Sequence, residues 1–350
     1  MLFLTQREEY KMICVFLDTN ILHSKSTDFT KARFAEKLEE LIGEIEVNDL
    51  YTYIKLVIPQ LVISELRKQQ IDDCSDTVKD LRKTKVTSQV IELPQNYEEI
   101  CDKVFNDTLE SLHDGTVKVD LAPYPPNEAL QGIIRRAISK NPPFEAKEKE
   151  SDKGFKDALI WESLLEYKKQ HSKDVLVLYS KDKRITDSFL AKEYKELFSE
   201  EIHMVFREDP NSHKNLLDKL RELSDVEEER ATFSQQLKDR LVDLVKNISW
   251  VYLVEPDKSY ELEDEEITVN DCAVIGVSIT DEIEDDDIIT FYLTLKVSYD
   301  YRDVYGGSGT MDADCNAIAN YSLSADKFYF QGAQGPDGIL YEFDGLGEEL

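Results

Sequence analysis

The sequence predicts an α/β fold with an open, mainly parallel sheet, followed by a small all-β domain. Short continuous apolar runs, such as 13–17 and 175–179, alternate with segments of helical periodicity, as expected of strands buried on both faces. Beyond residue 248 the pattern changes to β-branched and aromatic runs divided by glycine-rich turns. Charge divides the chain in the same place. The 350 residues hold 42 Lys+Arg against 72 Asp+Glu, a net −30; residues 246–350 hold 5 and 24 of these, leaving 37 and 48 for residues 1–245. At about 150 residues per domain, this length suggests two domains.

The elements follow in chain order. Ile13-Cys14-Val15-Phe16-Leu17 reads as a buried strand, and 30–46 repeats Phe34, Leu38, Leu41, Ile42 and Ile45 at helical spacing. A second apolar run, Lys55 to Pro59, leads into a helix containing Leu61, Val62, Glu65 and Leu66. Residues 67–150 read as mostly helical, with proline-marked loops at 121–127 and 141–145. That stretch is too long for one crossover and reads as a helical insert forming a cap or side wall. A helix over 155–171 carries Ala158, Trp161 and Leu165 on one stripe; a strand at Val175–Tyr179 and a helix over 183–197 follow. The expected division is an α/β domain over 1–210, a charged helical linker over 211–247, and an acidic all-β domain over 248–350.

Several function classes lack their marks. No apolar run approaches the ~18 residues of a membrane helix, and the N-terminus has no basic-then-apolar signal layout. Five cysteines (Cys14, Cys74, Cys101, Cys272, Cys315) with no Cys-x-x-Cys spacing argue against a disulfide framework or a zinc site, and suit the cytoplasm. There is no phosphate-binding Gly-x4-Gly-Lys-Ser/Thr loop and no Gly-x-Ser-x-Gly elbow. The five histidines show no paired spacing that would favour histidine acid–base catalysis. Neither part is basic, so a bulk positive field does not capture nucleic acid. Gly306-Gly307-Ser308-Gly309 reads as a hairpin turn, and the acidic run Asp281 to Asp287 as a solvated turn.

Ligands of open parallel sheets sit beyond the carboxyl ends of the strands. Asp18-Thr19-Asn20 follows the first strand, Glu65 opens the helix after the second, Asp157 lies in the first turn of its helix, and Ser180-Lys181-Asp182 follows Val175–Tyr179. Each acid alone has an ordinary explanation. Asp18 and Asp182 suit helix N-caps, Asp157 suits a helix dipole, and Glu65 suits a solvated helix face. Four at one sheet edge repel each other unless a cation neutralises them, and carboxylate oxygens suit Mg2+ or Mn2+. Such an ion supports in-line displacement at phosphorus, so the pattern points to metal-dependent phosphodiester hydrolysis.

The segments VFLDTNIL (15–22), IPQLVISEL (58–66), KGFKDALIWESLL (153–165) and VLVLYSKDKRI (175–185) together resemble a PIN domain. The closest resemblance is to the branch in which Lys-x-x-Lys-Asp-Ala-Leu-Ile-Trp-Glu supplies the third acid. The resemblance covers roughly 12–210 and implies a PIN-like α/β/α sandwich with a nuclease activity, mostly endoribonuclease. It implies Asp18, Glu65, Asp157 and Asp182 as catalytic, metal-holding residues for Mg2+ or Mn2+, and Asn20 and Ser180 as the polar residues that orient them. The loop around Asp182 could equally aim Asp187. It further implies RNA as the favoured substrate, 5′-phosphate and 3′-hydroxyl ends, and a prokaryotic toxin or defence nuclease.

Arg135, Arg136 and Lys156 are candidates for holding a substrate phosphate, with surface pairing to acids as the alternative for the arginines. Trp161 reads as core. The acidic β domain is a candidate surface for a protein partner or regulator. Two other functions stay open: a DNA-directed nuclease, flap-like or single-strand, and a non-catalytic PIN scaffold that binds through its β domain.

Overall fold

Strands β1 (Ile13–Leu17), β2 (Ile54–Pro59), β3 (Lys118–Ala122), β4 (Val175–Ser180) and β5 (His203–Phe206) form a parallel sheet in the order β3-β2-β1-β4-β5. The structure is a computed structural model that describes residues 11–24, 28–83, 96–112, 115–144, 154–209, 212–247, 250–254, 268–285, 287–302, 308–334 and 338–342. Every residue of β1 is buried, because the strand is central and covered on both faces. Ile13 sits beside Ile54 on one neighbour and Val175 on the other, so the carboxyl ends of β1, β2 and β4 lie side by side.

Helices α1 (Thr19–Leu22), α2 (Ala35–Val47), α3 (Gln60–Lys83), α4 (Tyr97–Ser111), α5 (Ala129–Ser139), α6 (Phe155–Gln170) and α7 (Ser188–Phe198) complete this layer arrangement. In α2 the buried residues Leu38, Leu41 and Ile45 recur at helical spacing and join the sheet core. Helix α6 is buried on most sides: Ala158, Trp161, Leu164, Leu165 and Tyr167 are all enclosed. Truncating a buried leucine to alanine in such a core costs about 2–5 kcal/mol. Among the described residues no helix is long and apolar enough to cross a membrane.

The chain divides into two compact units, Met1–Glu229 and Arg230–Leu350. The segment 211–247, expected as a linker, is over 214–247 one helix, α8 (Lys214–Asn247). Leu216 and Leu220 near its start belong to the core of the first unit, and Leu237, Leu241 and Val245 to that of the second.

The second unit is an antiparallel sheet in the order β6-β11-β10-β9-β8-β7, from β6 (Trp250–Val254), β7 (Thr268–Asp285), β8 (Ile288–Arg302), β9 (Ser308–Ser322), β10 (Lys327–Gln334) and β11 (Gly338–Glu342). Alternate residues of β8, from Ile289 to Tyr299, are buried with Ala313, Cys315, Ala317 and Ala319 of β9. Tyr321 of β9 and Leu237, Leu241 and Val245 of α8 share this core.

The expected fold class is present: a parallel sheet flanked by helices, then an antiparallel all-β sheet. Several local expectations need correction. The segment 67–150 is not helical throughout. It contains β3, an edge strand whose mixed sequence Lys-Val-Asp-Leu-Ala lacks the apolar run of a central strand. Strands β5, β6 and β11 were not expected at all. The helix expected over 183–197 begins at Ser188, capped by Asp187, whose side chain accepts from Phe189 N–H at 2.8 Å. The acidic run at 281–287 is not a turn up to Asp285, because Asp281 to Asp285 pair with β8. Helix α8 supplies the countercharge there: Arg230 bonds Glu284, while Ser234 and Lys238 bond Glu282. Asp286, Gly306 and Gly307 lie outside the described residues, as do Asp152, Lys153 and His113.

Candidate active site

Asp18 is the first residue past β1, and its backbone N–H donates to Tyr179 O at 3.2 Å, which extends the β1–β4 pairing by one residue. It occupies the N-cap position of α1 but makes no side-chain capping bond. Its carboxylate instead turns to the end of β4. Ser180 Oγ donates to Asp18 Oδ2 at 2.5 Å, and Asn20 Nδ2 donates to the same oxygen at 2.5 Å. Asn20 Oδ1 accepts from the Lys181 backbone N–H at 2.8 Å. One asparagine therefore grips both the acid and the loop after β4.

Asp182 lies two residues beyond Ser180 and donates its backbone N–H to Ser180 Oγ at 2.8 Å. Its own Oδ1 accepts from Arg184 N–H at 2.8 Å, the local turn that a short acidic side chain favours. Arg184 Nε also reaches Oδ1 at 2.9 Å and Oδ2 at 3.0 Å, and its Nη2 bonds Oδ2. The same Nη2 is 3.4 Å from Asp157 Oδ2, so one guanidinium serves two acids.

Asp157 is in the first turn of α6, which starts at the left-handed Gly154 (φ 102°). Glu65 is the sixth residue of α3, which follows β2 without a loop. Thr19 Oγ1 donates to Glu65 Oε2 at 2.9 Å, and Lys156 Nζ donates to Oε1 at 2.5 Å. Two sets of contacts thus stand at this edge: Asp18 through Ser180 to Asp182 and through Arg184 to Asp157, and Glu65 with Thr19 and Lys156, which neighbour Asp18 and Asp157 in sequence.

Electrostatics follow from this crowding. Burial pushes the Asp18 carboxyl up to about 6; the Ser180 bond opposes that, while Asp157 and Asp182 add to it. Burial likewise raises Asp157; Arg184 lowers it, and Asp182 and Glu65 raise it again. For Asp182 burial also acts upward, but the bonds and charge of Arg184 outweigh it and hold the carboxyl below its ordinary value. Neighbouring acids thus add to the rise at Asp18 and Asp157, a repulsion that a hard divalent cation among these carboxylate oxygens would relieve.

The structure thus brings Asp18, Asn20, Ser180 and Asp182 into one hydrogen-bonded group, with Asp157 paired to it through Arg184 and Glu65 held beside it by Thr19 and Lys156. Asp187 is not part of it, being spent on the α7 cap. Arg136 follows the alternative reading, pairing with acids, but it is buried and not on the surface. It is 8% exposed and donates to Glu193 Oε1 at 2.6 Å, to Glu162 at 3.5 Å and to Pro142 O at 3.0 Å. Trp161, fully buried, donates to the other oxygen of Glu193 at 2.8 Å. A guanidinium enclosed by two carboxylates holds α5, α6 and α7 together and does not present itself to a phosphate. Arg135 is exposed, one position along α5. Sequence reasoning missed Arg184 and Thr19. Arg184 stands two residues after an acid in a lysine-rich turn, a spacing with no signal of its own, and Thr19 is adjacent to Asp18 but pairs with a residue 46 positions away.

The fold of this unit is a PIN-like α/β/α sheet with acids at its carboxyl edge. Residues 15–185 match a family model described as PIN domain. PIN domains are generally metal-dependent nucleases, so the matched segment points to a hydrolase acting on nucleic acid. No curated protein and no solved structure gives a match to the chain.

Proposed function

We propose that the chain is an endoribonuclease that uses Mg2+ or Mn2+ to cut RNA to 5′-phosphate and 3′-hydroxyl ends. The observation that carries this reading is the gathering of four acids at the carboxyl edge of the sheet, with Lys156 on Glu65 and Arg184 between Asp157 and Asp182. In this reading Asp18 and Asp157 are the central metal ligands, with Glu65 and Asp182 completing the set. When bound, the ion would polarise the phosphate and lower the pKa of the attacking water.

The remaining work falls to the chain itself. Ser180 and Asn20 hold the buried Asp18 carboxylate in one orientation. Lys156, whose side chain is 62% exposed, can leave Glu65 and meet a substrate phosphate. Arg184, partly exposed between Asp157 and Asp182, offers a second cation at the same edge. RNA is favoured over DNA on the likeness to PIN domains. The scheme needs no 2′-hydroxyl, so the choice must be measured.

The test is cleavage of end-labelled single-stranded RNA and DNA of one sequence, with Mg2+, Mn2+ or EDTA, followed by end-group analysis. The reading expects RNA cut only with metal, leaving 5′-phosphates. A 2′,3′-cyclic phosphate would refute the chemistry, and cutting of DNA alone would refute the substrate.

A further inference from the structure

Glu40 and Glu44 lie one turn apart on α2, and His213 immediately precedes α8. One oxygen from each glutamate and a ring nitrogen of His213 all lie within 4.8 Å of one another. None of the three belongs to the acid group described above. His213 is 1% exposed. Its Nδ1 is 3.0 Å from the Tyr179 hydroxyl, and its backbone oxygen accepts from Leu216 N–H and Leu217 N–H, which fixes it at the start of α8. Its other ring nitrogen, Nε2, is buried and has no hydrogen-bond partner among the described residues. A buried imidazole close to two carboxylates, with one ring nitrogen unbonded among the described residues, calls for an explanation.

The geometry points to a second metal site, Glu40, Glu44 and His213, that takes a zinc-class transition ion and ties α2 to the start of α8. The proposal is independent of the nuclease reading. With Nδ1–H donating to the Tyr179 oxygen, the Nε2 lone pair is left for a metal, the usual arrangement of a metal-bound histidine. Ligand distances of about 2.0–2.2 Å place donor atoms about 3–4 Å apart, so a set within 4.8 Å needs only small side-chain movements. An imidazole with two carboxylates suits Zn2+ and its neighbours, whereas Mg2+ prefers oxygen throughout. The cysteine pattern gave no reason to expect zinc, and this set uses no cysteine.

The charges facing the site are mixed. Lys37 Nζ donates to Glu40 Oε2 at 2.6 Å, and Arg207 and Lys181 also act on the group. Lys37 is 30% exposed and one turn from Glu40, so it can turn to water as the ion takes the carboxylate. The ion is therefore held by coordination at short range, against a neighbourhood that is not strongly acidic.

The test uses the full chain stripped with EDTA, titrated with Co2+ as a spectroscopic probe and with Zn2+ by calorimetry, in excess Mg2+. The site predicts one Co2+ whose visible absorption indicates nitrogen and oxygen ligation, displaced by Zn2+ and not by Mg2+. Asp157→Asn should retain it, while Glu44→Gln and His213→Gln should weaken it about tenfold or more. Glu44 is partly exposed, so Glu44→Gln decides the matter if His213→Gln fails to fold. Binding by Glu44→Gln equal to wild type, or loss of the Co2+ signal in Asp157→Asn, would overturn the site.

Discussion

Ser180 Oγ donates a 2.5 Å hydrogen bond to Asp18 Oδ2, joining the ends of β4 and β1 across 162 residues of sequence. Both residues are enclosed, Ser180 completely. The hydroxyl has its full complement of partners: it donates to Asp18 and accepts from Asp182 N–H at 2.8 Å and Asn20 Nδ2 at 3.3 Å. Ser180→Ala removes all three and leaves a buried carboxylate and a buried N–H with fewer partners. The expected cost is about 1–3 kcal/mol of stability and a large loss of cleavage, with Ser180→Thr retaining most of both. Thermal melting beside initial cleavage rates separates the variants; equal behaviour of Ala and wild type would remove Ser180 from the site.

Asp18 makes the metal-free protein pH-dependent with a definite sign. Its carboxyl titrates at about 6 in the folded chain against an ordinary 3.8, so the folded state binds the proton more tightly than the unfolded one. The stability it contributes is complete below about pH 4 and is lost as pH rises through about 6. The rise corresponds to on the order of 3 kcal/mol. In EDTA, Asp18→Asn should therefore melt higher than wild type at pH 7–8, and the difference should vanish toward pH 4. Identical melting curves across that range would show that Asp18 carries no such penalty.

Burial pushes both Asp182 and Asp157 upward; Arg184 opposes it at each, keeping Asp182 below its ordinary value by direct bonds and limiting the rise of Asp157 by its charge. Without Arg184 both titrate higher, so the acid side of the pH–rate profile should move to higher pH in Arg184→Ala. The plateau at alkaline pH should fall less than the rate at pH 5–6. A profile of unchanged shape, merely scaled down, would mean that Arg184 acts only on substrate.

Gly154 sets where Asp157 stands. Its φ of 102° is left-handed, and a Cβ there would lie 2.6 Å from Pro143 O and 2.9 Å from Phe144 Cα. Those contacts are backbone, which cannot turn aside. Gly154→Ala should shift the first turn of α6, costing about 1–3 kcal/mol and reducing cleavage more than a surface change such as Lys169→Ala. Melting and activity both equal to wild type would show that the start of α6 has slack.

Much of this was legible in the sequence because the central strands advertise themselves. Ile13–Leu17 and Val175–Ser180 are apolar runs with polar residues directly after them, so strand and site residues read together. The edge elements did not. Lys118–Ala122 and His203–Phe206 are short, have few fully buried positions and resemble loop or helix sequence. The pairing of Arg136 with acids was legible but its burial was not: its partners Glu162 and Glu193 lie 26 and 57 residues away, so nothing local marks it as buried. The group of Glu40, Glu44 and His213 was invisible for the same reason, since its histidine joins two acids about 170 residues earlier.

The central claim is that Asp18 and Asp157 together make a metal-dependent cutting site. It is tested most directly by single-turnover cleavage of labelled RNA with Mn2+, comparing wild type, Asp18→Asn and Asp157→Asn, each checked for folding by circular dichroism. The account predicts cleavage by wild type that EDTA abolishes, and a loss of at least about a hundredfold in each folded variant. Cleavage by either folded variant at the wild-type rate would contradict it.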